Sequence, residues 1–161
     1  MQYGYFDDAH REYVIETPRT PLPWINYLGS EAFFALVSNT AGGYCFYKDA
    51  RLRRITRYRY NNSPLDSDGF HVYLRDGEGT VWNPGWQPTQ TELTGYTCRH
   101  GLGYTTIEGK LGSIASTQEM LVPQGDNCLL LRLTVKNEGD TPKKITVFPY
   151  VEFCLWDAMD D

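Results

Sequence analysis

The chain has 161 residues and carries 15 Lys and Arg against 20 Asp and Glu, which gives a net charge of −5. This balance excludes a global positive field that would hold nucleic acid or an anionic membrane surface. Apolar residues make up 41% of the chain and aromatic residues 14%, with Gly 15 and Pro 9. Such a composition is typical of one folded domain with many turns and excludes a disordered chain.

The N-terminal segment and the cysteines indicate a cellular compartment. The first residues lack the basic and apolar regions of a signal peptide, and no apolar run approaches the roughly 20 residues that span a bilayer. We therefore expect a cytoplasmic protein with no membrane partner and no nucleic-acid partner. No C-x-x-C pair occurs, and no His lies at metal-ligand spacing from a Cys. Buried free thiols are favoured over disulfides for the four cysteines, Cys45, Cys98, Cys128 and Cys154.

Short segments with alternating apolar and polar residues run through the chain, separated by turn residues, and predict an all-β fold. Residues 17–24 contain three prolines and should form an extended surface segment, because proline has no N–H for a sheet. Residues 32–38 and 44–47 should pair as a hairpin, with glycines in the connection where a positive φ is needed. Two further hairpins are predicted, 70–74 with 80–82 and 104–108 with 114–122, the latter around a turn containing Gly109 and Gly112.

The clearest strand pattern lies near the C-terminus. One face carries Leu129, Leu131, Leu133 and Val135, and the other carries Arg132, Thr134 and Lys136. A turn at 137–140 precedes a second alternating run at 145–153, so we expect these two strands to pair as an antiparallel hairpin. Pro149 places the second strand at a sheet edge or at a bulge. The whole pattern predicts an antiparallel β-sandwich, and the aromatic strand at the end suggests a sandwich that is incomplete at its C-terminal end.

No combination of residues predicts a catalytic group or a metal site. The histidines His10, His71 and His100 are distant from one another in sequence, so each is expected at the surface or in a structural hydrogen bond. The neighbouring acids Asp7 and Asp8 point to opposite faces of an extended backbone, as do Asp160 and Asp161. Neither pair supplies the two facing carboxylates of a glycosidase.

A run of arginines is the first feature above background. In an extended segment Arg51, Arg53, Arg57 and Arg59 share one face, with Leu52, Thr56, Tyr58 and Tyr60 opposite. Guanidinium groups form bidentate bonds to anions and stack on aromatic rings, so this face is a candidate contact for phosphate, acids or a partner subunit. A solvated strand face neutralised by nearby acids is the alternative.

Two tryptophans in a Pro and Gly loop are the second feature. Trp82 and Trp86 flank the sequence Asn83-Pro84-Gly85, and Arg99 and His100 follow in a later polar segment. Aromatic rings match the C–H face of a sugar, and the polar side chains can bond its hydroxyls. These four residues, Trp82, Trp86, Arg99 and His100, are therefore candidate sugar-binding groups. The alternative is that both tryptophans close one end of the sandwich.

Long ordered motifs carry a family resemblance over essentially the whole chain. They are GGYCFYKDARLRRITRYRYNN, VWNPGWQP, CRHGLGYT and FPYVEFCLWDAMDD, together with the opening YGYFDD and TPLPWINYLG. The chain resembles the N-terminal region of the cellobiose phosphorylases of glycoside hydrolase family 94. The resemblance implies a galactose mutarotase-like β-supersandwich over residues 1–161. A helical linker and an (α/α)6 catalytic barrel, both outside this chain, would follow.

The resemblance also implies the function. Family members cleave cellobiose with inorganic phosphate, a co-substrate and not a cofactor, and release α-glucose 1-phosphate with inversion. The catalytic acid lies in the barrel, so no catalytic residue is carried over to this chain. The expected partners are the rest of the phosphorylase, a second subunit of a homodimer and a cello-oligosaccharide, with Arg51, Arg53, Arg57, Arg59 and Tyr58 as interface candidates. An independent carbohydrate-binding module that uses Trp82 and Trp86 is the alternative.

Overall fold

A computed structural model describes residues 2–58 and 69–160 of the chain. Every regular element within these ranges is a β-strand. In chain order the strands are β1 (Gly4–Asp7), β2 (Glu12–Ile15), β3 (Ile25–Gly29), β4 (Phe33–Ser38), β5 (Gly43–Tyr47), β6 (Arg54–Thr56), β7 (Phe70–Asp76), β8 (Val81–Trp82), β9 (Gly95–His100), β10 (Tyr104–Leu111), β11 (Ile114–Leu121), β12 (Leu130–Asn137), β13 (Ile145–Val151) and β14 (Phe153–Trp156).

The strands form three antiparallel sheets. A 6-stranded sheet has the order β1, β2, β9, β10, β11, β12. A 5-stranded sheet has the order β14, β6, β5, β4, β3, and a 3-stranded sheet has the order β13, β7, β8. Every pairing between neighbouring strands is antiparallel, which confirms the predicted fold class.

The first core lies between the 6-stranded and the 5-stranded sheets. From the first sheet come Ile15, Cys98, Ile107 and Met120, and from the second come Leu28, Phe33, Ala35, Val37 and Cys45. The interior strands β10 and β11 bury every second residue, as at Thr105, Ile107 and Gly109 of β10, which are buried between more exposed neighbours. The alternation in the sequence therefore corresponds to burial between two layers.

The second core lies between the 3-stranded sheet and the other half of the 6-stranded sheet. It contains Val72, Leu74 and Trp82 from β7 and β8, together with Ile114 from β11. Partly buried side chains of the two edge strands pack against it, namely Leu131, Leu133 and Val135 of β12 and Ile145 of β13. The 6-stranded sheet thus carries both cores on one face.

Three predicted hairpins are confirmed: β4 with β5, β7 with β8, and β10 with β11. Residues 17–24 contain no strand, as the prolines predicted. Two details differ from the prediction. Gly109 lies inside β10 and not in the turn, and in the predicted connection 39–43 Ala41, with φ 68, takes a positive φ in addition to the predicted glycine, Gly43, with φ 153.

The predicted hairpin between residues 129–135 and 145–153 is wrong. β12 pairs with β11 along its whole length, from Ile114 opposite Asn137 to Leu121 opposite Leu130. β13 instead pairs with β7 in the opposite layer. An alternating pattern and a turn indicate a reversal of the chain, but they do not indicate the sheet that receives the next strand. The inference from Pro149 is confirmed, because β13 is an edge strand.

The predicted extended arginine face is also wrong. Residues 51–53 form a turn, so Arg51 and Arg53 do not lie on a strand with Arg57. The carboxylate of Asp49 causes this turn, because its Oδ1 accepts hydrogen bonds from the backbone N–H of Arg51 at 2.8 Å and of Leu52 at 2.7 Å. Only Arg54–Thr56 are extended in β6. Arg59 lies outside the described residues.

Gly109 allows the loop after β8 to touch the 6-stranded sheet. A Cβ at this position would lie 2.2 Å from the carbonyl oxygen of Pro84. We expect Gly109→Ala to lower the free energy of unfolding by about 1–3 kcal/mol, because strand and loop must separate. Chemical unfolding measures the change, with Gly103→Ala as the control, since a Cβ there meets no atom within 4 Å. Equal stability of the two variants would show that this contact is not required.

Candidate functional site

The last two residues of β9 are two of the predicted site residues, Arg99 and His100. Arg99 donates from Nη1 to Oε2 of Glu12 at 2.9 Å, and the Tyr104 hydroxyl donates to Oε1 of the same carboxylate at 2.5 Å. Asp7 approaches the guanidinium at 3.7 Å. Burial opposes ionisation of Glu12, but the bonds from Tyr104 and Arg99 outweigh it and lower its pKa. Arg99 is thus already occupied by protein carboxylates.

Both ring nitrogens of His100 are engaged within the protein. Nε2 donates to the carbonyl oxygen of Trp24 at 3.1 Å, and Nδ1 accepts from the hydroxyl of Thr105 at 3.0 Å. Burial lowers the pKa of this imidazole and keeps it neutral. The position of His100 is that of a structural histidine that joins β9 to the segment before β3.

Asn26 of β3 reinforces the same junction. Its Nδ2 lies within hydrogen-bond distance of the carbonyl oxygens of Gly101, at 2.9 Å, and of Tyr104, at 3.0 Å. These bonds run from the 5-stranded sheet to the turn of the 6-stranded sheet. The motif CRHGLGYT therefore closes one end of the sandwich.

The two predicted sugar-binding tryptophans do not share a surface. Trp82 is 1% exposed and packs in the second core, because its position on β8 opposite Leu74 points it inward. Its ring face is not available to a ligand in this structure. Trp86 is half-buried in the following loop, with the guanidinium carbon of Arg19 at 5.6 Å from its ring centroid. Only Trp86 stays a candidate for contact with a sugar.

The arginines predicted as interface residues are dispersed. Arg51 lies 3.9 Å from the carboxylate of Asp157, and Arg53 has its guanidinium carbon 5.9 Å from the ring centroid of Tyr47. Arg57 is half-buried, and its backbone N–H donates to the carbonyl oxygen of Glu152. Arg51 and Arg53 are exposed and remain interface candidates. Tyr58 is half-buried beside the ring of Tyr44, at a centroid distance of 5.0 Å.

Sequence reasoning missed the arginine that is most buried. Arg54 is 3% exposed, donates from Nε to the carbonyl oxygen of Ala50 at 2.9 Å and lies 4.5 Å from the ring centroid of Tyr44. The sequence did contain an indication of this. In an extended chain, residue 54 lies on the face opposite to the other four arginines of the run, at 51, 53, 57 and 59. Glu12 was also missed, and no local pattern distinguishes it from a solvated acid.

The described part of the chain has neither a metal-binding cluster nor a helix that could span a membrane. Residues 2–58 and 69–160 contain no group of three or more His, Cys, Asp and Glu that could hold a metal ion. In the same ranges we find no helix with the length and apolar character needed to span a membrane. Cys45 and Cys98 are buried free thiols, as predicted, and burial raises the pKa of both, whereas the thiol of Cys128 is only half-buried.

The buried neutral His100 should make stability depend on pH. Its pKa in the folded state lies below its ordinary value of 6.5, so its contribution is complete above that pH and is lost as the pH falls toward the folded-state pKa. We expect the thermal midpoint to decrease as the pH is lowered below 6.5, and His100→Gln to flatten this part of the profile. The pKa values of the Glu12 and Asp7 carboxyls lie below their ordinary values of 4.5 and 3.8, so these groups affect stability only at lower pH. His10→Gln, at an exposed position, is the control, and an unchanged profile in His100→Gln would contradict the assignment.

Comparison with known proteins places the whole chain within one family of domains. The family model described as "Glycosyl hydrolase 94, supersandwich domain" matches residues 11–161. The chain is 42% identical over 156 residues to an N,N'-diacetylchitobiose phosphorylase of Vibrio furnissii, which covers 95% of this chain and 19% of that protein. It is 40% identical over 164 residues to the enzyme of the same name from Vibrio proteolyticus, covering 100% of this chain and 20% of that protein.

A third relative has a different named substrate. The chain is 34% identical over 155 residues to a solabiose phosphorylase of Paenibacillus borealis, covering 95% of this chain and 20% of that protein. The chain therefore spans about a fifth of the length of the curated relatives it matches. The resemblance to cellobiose phosphorylases holds at the level of the family, while the relatives' names give other disaccharides. The chain belongs to the glycosyl hydrolase 94 supersandwich domain family.

Proposed function

We propose that this chain is the N-terminal supersandwich part of an inverting phosphorylase of β-linked disaccharides. The match of the family model to residues 11–161 is the observation that carries this proposal. The relatives are phosphorylases about five times longer, and the chain matches a fifth of each. Its role is structural, and the catalytic acid belongs to the helical barrel that the resemblance implies.

In the proposed reaction an oxygen of inorganic phosphate attacks the anomeric carbon and the glycosidic C–O bond breaks. The leaving oxygen takes a proton from one carboxylic acid, and the products are an α-sugar 1-phosphate and a shortened sugar. An ordinary inverting glycosidase needs a second carboxylate to activate water. Phosphate is already anionic and nucleophilic, so a single acid suffices.

Two disaccharides are candidate substrates. The sequence motifs resemble those of cellobiose phosphorylases, whereas the two Vibrio relatives are named for N,N'-diacetylchitobiose. We place N,N'-diacetylchitobiose first, because these relatives are 40% and 42% identical to the chain. Cellobiose is second. Homodimer formation and a cytoplasmic location, both expected from the sequence, are part of the same proposal.

The edge strand β13 supports the presence of further polypeptide on this part of the sandwich. Val147 and Val151 lie on the side of Leu74 and Phe70, their partners on β7, yet they are 43% and 45% exposed. Core-facing valines normally lose most of their exposed surface. Among the described residues only β7 pairs with β13, and a sheet edge with such residues invites pairing with another strand. We infer that the rest of the phosphorylase covers β13.

The reaction itself tests the proposed function. The full-length protein, incubated with inorganic phosphate and N,N'-diacetylchitobiose, should release an α-configured sugar 1-phosphate, identified by its phosphorus and proton NMR signals. Parallel incubations with cellobiose rank the two substrates, and incubations without phosphate are the control. Residues 1–161 alone should be inactive. Absence of a sugar phosphate with every β-linked disaccharide, or release of free sugars without phosphate, would contradict the proposal.

Substitution of Val147 tests the covering of β13. In the full-length protein, Val147→Gln should lower the free energy of unfolding of this domain by about 1–3 kcal/mol, because a polar amide would be buried without partners. The matched control is Thr146→Gln, on the opposite face of the same strand and exposed. We expect it to change stability by less than about 0.5 kcal/mol. Equal effects, measured by chemical unfolding, would mean that β13 stays open in the full-length protein.

A further inference from the structure

A surface cleft lies between the proline-rich segment and the loop after β8. It has a volume of about 260 Å³ and is lined by residues 18–23, Asn39, Thr40, Trp86 and Gln87. This volume is slightly below the roughly 300 Å³ at which sites for drug-sized ligands begin, and it suits a ligand of one ring. No residue of the lining carries a carboxylate, and Arg19 is its one charged group.

Trp86 holds an unfavourable backbone conformation at this cleft. Its φ is 77°, in the left-handed region that bulky side chains rarely adopt. The surrounding loop fixes this conformation: the N–H of Trp86 donates to the carbonyl oxygen of Asn83 at 3.0 Å, and its carbonyl oxygen accepts from the N–H of Gln90 at 2.8 Å. Asn83 is 2% exposed and donates to the carbonyl oxygen of Val72 at 2.8 Å.

Packing does not account for the strain. The core beneath this loop is filled by Trp82, which is 1% exposed, whereas the strained Trp86 is only half-buried. Strained conformations persist where the surrounding structure over-determines them, and they cluster at ligand sites. Gly85 brings the loop close to the cleft floor, since a Cβ there would lie 2.6 Å from the carbonyl oxygen of Thr40. The loop thus presents one aromatic ring rigidly at the cleft.

The chemistry of the cleft fits a neutral sugar ring. Trp86 and the prolines offer apolar faces to the C–H groups of a pyranose, while Arg19 and Gln87 carry N–H donors for its hydroxyls. Arg19 lies over the ring of Trp86 and also pairs with Glu92 at 2.5 Å. Both side chains of this ion pair are exposed, at 59% and 77%, so a sugar displaces Arg19 from the ring at little cost.

We propose that this cleft is a sugar-binding site, in which Trp86 stacks against one neutral pyranose ring of a β-linked glucoside or N-acetylglucosaminide. Such a site gives the supersandwich a role in holding substrate or product. The choice of sugar class rests on the proposed function. The cleft itself, the strained tryptophan and the donors around it do not depend on that function.

Fluorine NMR of the full-length protein labelled with 5-fluorotryptophan tests the proposal. The resonance that disappears in Trp86→Gly reports Trp86, and glycine accommodates the positive φ, so the loop keeps its conformation. Unchanged positions of the other tryptophan resonances show that the variant folds. We expect the Trp86 resonance to shift saturably on addition of N,N'-diacetylchitobiose, and Gln87→Ala to raise the half-saturating concentration several-fold. Phe6→Ala, at an exposed aromatic outside the cleft, is the matched control and should leave it unchanged.

The outcomes separate the two proposals. Shifts with both N,N'-diacetylchitobiose and cellobiose support a site for glucosides in general, and shifts with the former alone support a site that also contacts the N-acetyl group. A Trp86 resonance that stays fixed with both sugars at tens of millimolar would overturn the site. The fluorine resonance does not depend on catalysis. A protein that shows no phosphorolysis but still shows the shift would contradict the proposed function and support the sugar-binding cleft.

Discussion

The carbonyl oxygen of Trp24 is the junction on which this sandwich depends. It accepts the backbone N–H of Asn39 at 2.8 Å and Nε2 of His100 at 3.1 Å, so one oxygen connects the loop of the β4–β5 hairpin with β9 of the opposite sheet. Side-chain contacts between two sheets are usually apolar and carry little directional information. Hydrogen bonds to a single carbonyl fix how far one sheet can slide over the other. The registration of the first core follows from this junction.

The same junction explains why the motif CRHGLGYT is dense in polar residues, since several of them bond to other parts of the protein. Arg99 is neutralised by Glu12, His100 is held neutral by burial, and Gly101 contributes a carbonyl oxygen to Asn26. A Cβ on Gly101 would lie 2.6 Å from the ring of Tyr104, so the turn requires glycine for close packing. A ligand would have to break several protein hydrogen bonds to use these groups. Their arrangement stabilises one end of the domain.

Local patterns in the sequence predicted the strands and the short hairpins, because alternation and turn residues act within a few positions. Leu131, Leu133 and Val135 are half-buried between exposed neighbours, as their spacing predicted. The partner of β13 depends on which of two layers receives the chain, and this information is not local. The prediction of an extended arginine face was wrong for a different reason: the turn that Asp49 forms is local, but the alternation of charged and apolar residues was taken as a strand. For the candidate site, the sequence showed two tryptophans in one loop region. It did not show that the ring of Trp82 lies in the core and that of Trp86 in a cleft.

The two cores differ in how completely they are closed. The first is enclosed by whole sheets, and Ile15, Ala35 and Ile107 within it are 0% exposed. The second lies between β12 and β13, the edge strands of their sheets, and takes only partly buried side chains from both. Additional strands or another domain on this side would bury the apolar surface that these edge strands expose. Burial of apolar surface contributes a favourable free energy of about 25 cal/mol per Å². Apolar surface for such packing is available at the second core, because its edge strands leave their core-facing side chains partly exposed. The cleft at Trp86 is lined by residues 18–23, Asn39, Thr40 and the loop at 86–87, and it draws no residue from β12 or β13.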